Sequence, residues 1–400
     1  MNRTGRSALG LVLLLGVVSL FADMTYEAAR SITGPYLAVL GASATAVGIV
    51  AGLGELVGYG LRLVAGAVTD RIRRLWAITI AGYAVNLLAV PALALAGSWE
   101  VAAALVVTER LGKAIRAPAR DAILAHATHG MGRGWGFGLH EALDQIGATV
   151  GPLIVAGVLF AELGYARAFA VLAVPAGLAL ATLGVARAVY PHPHLLEPAA
   201  KPDRPAAPRA TFALYLAAAA CLAAGFVDFP LVAFHMKRTA LLNDAWIPVV
   251  YAGAMGIDAL SALACGWLYD RKGLSVLTVV AMLSAASAPL VFLGGPELLL
   301  AGMVLWGIGM GAMESVVRAV VAELVPRRKR ATGYGVFLGG FGLAWFVGSA
   351  AMGVLYERSL LALAVFSVGV QLASLPLLGM VRRRLAAGGG GTGEGAGMTG

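Results

Sequence analysis

Charge is scarce in this chain. Only 13% of its 400 residues are Asp, Glu, Lys or Arg, 60% are hydrophobic, and mean hydropathy is +0.83. A soluble domain runs near ~25% charged and ~45–50% apolar, so an ordinary soluble protein is excluded. Cysteine is nearly missing. Cys221 and Cys265 fall in apolar segments, which argues against a disulfide framework or a metal-type spacing; they read as small core residues. No Ser/His/Asp set, metal-ligand cluster or phosphate-cradling glycine loop occurs, so the chain does not read as an enzyme, and no cofactor or metal is expected. No ATP-binding domain is recognisable, which makes an ion gradient the expected energy source.

What is abundant is apolar sequence. Twelve hydrophobic segments lie near 8–35, 43–69, 75–96, 99–125, 134–161, 166–189, 210–236, 245–269, 274–293, 296–325, 331–356 and 360–381. A span needs roughly 20 apolar residues, and each must be a helix, because lipid satisfies no open backbone. The start "MNRTGRSALGLVLLLGVVSLF" is built like a signal peptide but continues without an A-x-A-type site, so it reads as a retained first span. Cations gather on "DRIRR" (70–74), "KPDRPAAPR" (201–209), "DRKG" (270–273) and "PRRKR" (326–330), with Arg3, Arg6 and "RRR" (382–384); the alternate connections hold few. The positive-inside rule assigns the first set, and both termini, to the cytoplasm. The high content of Arg, Ala and Gly suggests a high-GC bacterial genome and hence a multi-pass protein of the bacterial cytoplasmic (inner) membrane. The net charge of +9 follows from this topology; no basic soluble module is present, so nucleic acid is not an expected partner.

The chain divides once, at a Pro-rich polar stretch. The expected organisation is a six-helix bundle over 1–190, a cytoplasmic linker over 191–209, a second bundle over 210–383 and a disordered Gly-rich tail over 384–400. His192 and His194 read as solvated linker residues. The halves echo each other. "GAVTDRIRR" (66–74) recurs as "GWLYDRKG" (266–273), and "RGWGFG" (133–138) as "RATGYG" (330–335), at offsets of 200 and 197 residues. Such pairing indicates two related halves, as in transporters built from repeats. The expected fold is therefore an all-α membrane protein, twelve transmembrane helices in two related bundles around a central cavity.

With these motifs the chain resembles the major facilitator superfamily. The Gly66–Asp70–Arg71–Arg74 pattern carries the likeness, with its weaker copy at Gly266–Asp270–Arg271. "RLGKAIRAPARDA" (110–122) also resembles a bacterial branch with G-K-x-I-R-x-x-x-R-D in the fourth span. The resemblance implies a rocker-switch transporter, working as a monomer, with a small-molecule solute path between the halves. It implies that Gly66, Asp70, Arg71, Arg74, Asp270 and Arg271 form a gating latch rather than a substrate site. Physically, Gly66 permits close helix approach, and Asp70 can accept from Arg71 or Arg74 or face a helix N-terminus; positive-inside anchoring is the plainer alternative.

Charges within spans are the informative ones, because they are costly and face the bundle interior. Asp23, Glu27 and Arg30 share a face at i, i+4, i+7, as do Glu55, Tyr59 and Arg62. Counting ~1.5 Å per residue, Asp23 lies near mid-depth and Glu55 ~18 Å from the outer end. Asp23 and Glu55 are the first proton-carrier candidates, since burial disfavours a carboxylate's charge and a nearby arginine favours it. The alternative is a structural ion pair between the first two helices. Arg30, counted near the outer surface, reads as snorkelling. In the fourth span Glu109, Lys113, Arg116 and Arg120 form a stripe, with Arg110 displaced to an adjacent face. Arg120 reads as interfacial. The resemblance matches Arg110 to an arginine implicated in proton coupling in many antiporters. His140, Asp144, Gly147 and Gly151 share a face of the fifth span, where "GATVGPLIVAG" (147–157) partly matches a Gly-rich antiporter motif. The second half is sparser, with Asp228, Asp258 and Glu314/Arg318, and its Phe226, Trp306, Phe337, Phe341 and Trp345 read as apolar wall.

The expected site comprises Asp23, Glu55, Arg110 and Asp144 for proton coupling, with Glu27, Tyr59, Arg62, Lys113, Arg116, His140 and Asp258 along the substrate path. The expected function is proton-coupled export of a small amphipathic or anionic molecule. The alternatives are a symporter importing an anionic solute and a non-transporting scaffold or receptor.

Overall fold

The computed structural model describes residues 3–72, 74–128, 133–192, 209–325 and 330–389. These form α1 (Arg3–Val39), α2 (Ala44–Ile72), α3 (Leu75–Ala92), α4 (Trp99–Thr128), α5 (Arg133–Phe160), α6 (Gly164–Val171), α7 (Ala173–Val189), α8 (Arg209–Gly225), α9 (Phe229–Thr239), α10 (Trp246–Lys272), α11 (Ser275–Ala285), α12 (Ser287–Leu293), α13 (Pro296–Ala312), α14 (Arg318–Leu324), α15 (Arg330–Arg358) and α16 (Leu360–Gly389). Among the described residues, eleven helical stretches are long and apolar enough to cross a membrane. Gly164–Val189, Arg209–Thr239, Ser275–Leu293 and Pro296–Val321 are each assembled from more than one helix. The expectation of twelve segments differs at α4. Its 30 residues reach ~45 Å, but Glu100, Glu109, Arg110, Lys113, Arg116, Arg120 and Asp121 dilute its hydropathy.

Small residues decide which helices touch. A Cβ on Gly147 would lie 2.3 Å from the Leu20 carbonyl, so α5 rests directly on α1. Gly112 does the same for α4 on α3, at Asn86. Gly48 and Gly52 bring α2 onto α15 at Gly353, Ser349 and Phe346, and Gly34 brings α1 onto Pro230 of α9. Before residue 192, α1 packs on α5 and α7, and α3 on α4; after 209, α8 packs on α15 and α16, and α12 on α13. The two sets meet through α1–α9, α2–α15 and α5–α10.

Two irregularities bear on function. Helix α8 ends at Gly225 and α9 starts at Phe229, within one apolar stretch. The released carbonyls are satisfied by side chains: Gly225 O accepts from Ser367 Oγ and Gln371 Nε2, and Val227 O from Trp306 Nε1 at 2.8 Å. Backbone breaks at membrane depth survive only with such partners. This break leaves Asp228 flanking the start of α9. The second irregularity is a π-helical turn at Met313–Val317, a feature often found at functional positions.

Two expectations change here. A Cβ on Gly66 would meet only Pro118, at 4.0 Å, so no helix closes on Gly66 in this conformation. Helix α16 continues to Gly389, past the expected tail start at 384. The rest of that tail (390–400) and linker residues 193–208, with His194, lie outside the described residues, as do the Asp70 and Arg318 side chains.

Candidate functional site

A cavity of about 170 Å³ lies where α1, α2, α4, α5, α10 and α13 converge. Eight carboxyl side chains line it, from Asp23, Glu27, Glu55, Asp121, Glu141, Asp144, Asp258 and Glu314. Six cations face them: Arg30, Arg62, Arg110, Lys113, Arg116 and Arg120. The near balance of signs matters, because it disfavours the simple idea of a bare anion well. Most of these residues sit one helical turn apart on α1, α2 and α4, which turns three polar stripes toward one space.

Toward the α1 C-terminus the cavity is blocked by an ion cluster. Arg30 Nη2 donates to Glu55 Oε1 at 3.0 Å and lies 3.6 Å from Asp228 Oδ1. Arg110 Nη2 stands 3.7 Å from the same Glu55 oxygen, and its Nε is 3.2 Å from Glu109 Oε2. Glu109 accepts from Asn86 Nδ2 at 2.6 Å, and Asp228 accepts from Ser349 Oγ. The chain of contacts thus runs from α3 through α4, α2 and α1 to the α9 start and α15. Beyond it lies a void of only about 30 Å³, bounded by Thr33, Leu37, Val47, Val50 and Asp228. Arg30, Glu55 and Arg110 line both spaces, so they form the partition. Buried ions tolerate this only when each has partners, because desolvating them is costly.

A second set sits inside the cavity. Lys113 Nζ is 3.8 Å from Glu27 Oε1 and 3.9 Å above the Tyr26 ring. Tyr251, from α10, donates to the other Glu27 oxygen. Arg116 stacks over Tyr83, 4.2 Å from the ring centroid, an arrangement that suits a weakly hydrated guanidinium. Asp144 reaches Asp23 and Ser19, with Gly147 one turn away holding α5 close to Asp23.

Of the residues singled out from sequence, Asp23, Glu27, Glu55, Tyr59, Arg62, Arg110, Lys113, Arg116, Asp144 and Asp258 all line the cavity. Asp23 does not pair toward Glu55, however; it faces Asp144. Arg110 was expected off the stripe, yet it lines the cavity with Lys113, Arg116 and Arg120 while Glu109 turns away to Asn86. His140 is absent from the lining. It is buried behind it, with Nε2 3.0 Å from Ser19 Oγ and Nδ1 3.5 Å from Asp144. Arg120, read from sequence as interfacial, bonds its neighbour Asp121 at 2.8 Å and lines the cavity. The latch residues Arg71, Arg74, Asp270 and Arg271 are exposed, and Arg271 stacks on Trp267, 3.6 Å from its centroid.

Sequence reasoning missed Arg30 and Asp228 as members of the site. Depth counting put Arg30 near the surface, but α1 extends to Val39 and Pro230 covers Gly34. The i, i+4, i+7 spacing that flagged Asp23 and Glu27 already included Arg30, and that signal was sufficient. The aromatic residues Phe226, Trp306, Phe337, Phe341 and Trp345 are buried in mutual contact, as the wall reading expected.

Comparison with known proteins fits this geometry. The family profile described as the Major Facilitator Superfamily matches residues 13–349 and again 245–388. An uncharacterized protein of Mycobacterium tuberculosis is 46% identical over 388 residues, covering 95% of each chain. An uncharacterized MFS-type transporter of Methanocaldococcus jannaschii is 25% identical over 366 residues, covering 90% of this chain and 91% of its own. Among solved structures, the nucleoside transporter NupG superposes with a TM-score of 0.71 at 15% identity, over 94% of this chain and 99% of its own; at that identity the likeness is one of fold.

Proposed function

We propose, from the premise that this chain belongs to the Major Facilitator Superfamily, that it is a proton-coupled secondary transporter exporting a small amphipathic solute by alternating access. Twelve helices in two six-helix bundles carry the motion, in a bacterial cytoplasmic membrane with both termini inside. The recurrence of packing partners before 192 and after 209 supports the two bundles, and length supports α4 as the spanning helix that the hydropathy criterion omits.

The observation that carries the reading is the partition of Arg30, Glu55 and Arg110. Arg30 bridges Glu55 of the first half to Asp228 of the second, and the cavity lies wholly on one side of that bridge. A chain that only scaffolded would gain nothing from burying ions across its two halves, whereas a transporter must break and re-form such a contact in each cycle. In this reading the structure is open toward the cation-rich, cytoplasmic end. Asp23 and Asp144 are the proton carriers. They face each other across α1 and α5 next to Lys113 and Arg116, and two adjacent carboxyls share a proton readily. Glu55 moves from carrier to partition. The Asp70–Arg71–Arg74 loop and Asp270–Arg271 act as the latch of the opposite end, engaged only when the cavity faces outward.

The near balance of charges favours an amphipathic solute over a bare anion. A symporter importing an anionic solute remains the second reading, favoured by Lys113, Arg116 and Arg120 facing the cavity together. Proteoliposomes with a pH dye inside separate the two. Under an imposed gradient, an antiporter moves protons against the solute and a symporter with it. No proton movement with any solute tested would sink both.

A further inference from the structure

Helix α2 starts under a charge that the other half of the molecule supplies. The first turn of a helix leaves backbone N–H groups without intrahelical partners, and its positive end favours a nearby anion. The first turn of α2 holds no acidic residue. Ser43 Oγ accepts from the Ala46 N–H at 3.1 Å. The Thr45 N–H instead donates to Glu357 Oε1 at 2.9 Å, and Glu357 lies in the last turn of α15, 312 residues further on. Glycines hold the two ends in that register. A Cβ on Gly353 would lie 2.8 Å from the Ala44 carbonyl oxygen, and one on Gly48 would lie 2.9 Å from Gly353 Cα. The end of α15 therefore rests directly on the start of α2. Glu357 is exposed at this rim, where water competes for its carboxylate. A charge-assisted cap of this kind biases two arrangements and still breaks readily.

We propose that Glu357 is an outer latch of the transport cycle. This carboxylate of the second half caps α2 of the first half while the cavity faces inward, and leaves it when the halves part on the outer side. The inference rests on the alternating-access reading above. It adds a contact at the rim to the buried bridge of Arg30 and Asp228. The sign of the charge fixes the role. A carboxylate on the positive end of α2 lowers the energy of the inward-facing arrangement alone, because parting the helices removes it. The direction of the two helices fixes the place. The C-terminal end of α15 meets the N-terminal end of α2, so the pair runs antiparallel. Its other end joins the Asp70 end of α2 to the start of α15 at Arg330, on the side where the reading above sets the inner latch. One helix pair then carries a contact for each conformation, and the Glu357 cap is the one made here.

The test uses the full chain in proteoliposomes, with Cys221 and Cys265 replaced by serine and an impermeant maleimide outside. Two single-cysteine reporters sit on the wall of the small void behind the partition: Val47→Cys on α2, beside the cap, and Thr33→Cys on α1, away from it. In each background Glu357 is changed to Gln, Ala and Lys. Gln keeps an acceptor and drops the charge, Ala drops both, and Lys sets a cation against the positive end of α2. Labelling of both reporters should rise in that order, by roughly tenfold at Glu357→Lys, the scale of ~1.4 kcal/mol. Three variants of one exposed position keep the test alive should one of them not fold. A rise at Val47→Cys alone overturns the latch, since Glu357 then only steadies the first turn of α2. Equal labelling in wild type and all three variants overturns it too, as does an equal rise in all three, which shows lost packing rather than lost charge. Asp228→Asn in the Thr33→Cys background is read beside the series. If Asp228→Asn opens the void and the series does not, the latch falls and alternating access stands. A graded series with Asp228→Asn silent upholds the latch and removes the buried bridge, and silence in both removes the latch and the alternating-access reading together.

Discussion

Asp228→Asn is the sharpest perturbation of the partition. Asp228 is the second half's only contribution to the ion contacts described for Arg30, at 3.6 Å. With an effective dielectric near 20, that pair attracts by about 5 kcal/mol. Asparagine removes the charge but still accepts from Ser349, and it also removes the penalty of burying a carboxylate. Arg30 keeps Glu55 at 3.0 Å. The net loss of cross-half attraction is therefore a fraction of the Coulomb figure, on the order of 1–2 kcal/mol, which centres on about a tenfold shift in the opening equilibrium. Thr33 reports it, being buried (6% exposed) on the wall of the small void behind the partition. In a background with Cys221 and Cys265 replaced by serine, Thr33→Cys should react roughly tenfold faster with an impermeant maleimide applied from outside once Asp228→Asn is added. Arg30→Met alone should be worse tolerated, at about 3–5 kcal/mol, since it takes the cation from Asp228 and leaves Glu55 to the 3.7 Å contact with Arg110. A Thr33→Cys reaction rate that Asp228→Asn leaves unchanged, in protein that keeps its thermal stability, would refute the partition as the closed gate.

Other consequences follow from single contacts. Asp23→Asn and Asp144→Asn should each abolish pH-driven flux and spare solute exchange at equal pH; wild-type coupling in both variants removes the carboxyl pair from the mechanism. Gly147→Leu should lower the melting temperature clearly, because even its Cβ would fall 2.3 Å from the Leu20 carbonyl, whereas Gly157→Ala meets nothing within 4 Å and should be neutral. A thermal-shift comparison of the two checks whether α5 rests on α1 as described. Tyr251→Phe deletes the hydroxyl that α10 presents to Glu27 and should slow transport while changing stability by only about 1 kcal/mol; unaltered transport would place that contact outside the cycle.

Much of this was legible in the sequence, for physical reasons. Membrane charges are rare, so each one marks an interior face, and helical spacing alone gathered Asp23, Glu27, Glu55, Arg62 and Lys113 onto the cavity. What spacing cannot give is partner identity. His140 shares a face with Asp144, yet Ser19 of another helix holds it behind the lining. Arg110 leaves its nominal face because a long side chain reaches around the helix to Glu55. Asp228 was hidden for a different cause. Its role depends on the α8–α9 break, and that break is stabilised by Gln371, Ser367 and Trp306, up to 146 residues away. Interior glycines told where helices could touch, but not which touched in this conformation, as Gly66 shows.

The partition also explains why the charges are distributed so unevenly between the halves. A bridge spanning two moving bodies needs ions on both sides, but they need not be equal in number. If each half carried a complete, self-paired cluster, opening would break nothing and the two conformations would differ little in energy. Here Arg30 is held by Glu55 in its own half, and Asp228 is held by Ser349. Among the ion contacts of the partition, opening would separate the 3.6 Å one between Arg30 and Asp228 without stranding either ion in apolar surroundings. The ionic part of the cost stays in the range of a few kcal/mol that proton binding or solute binding can supply. A second-half aspartate with a hydroxyl partner is enough for that task, and a richer cluster there would lock the gate rather than close it.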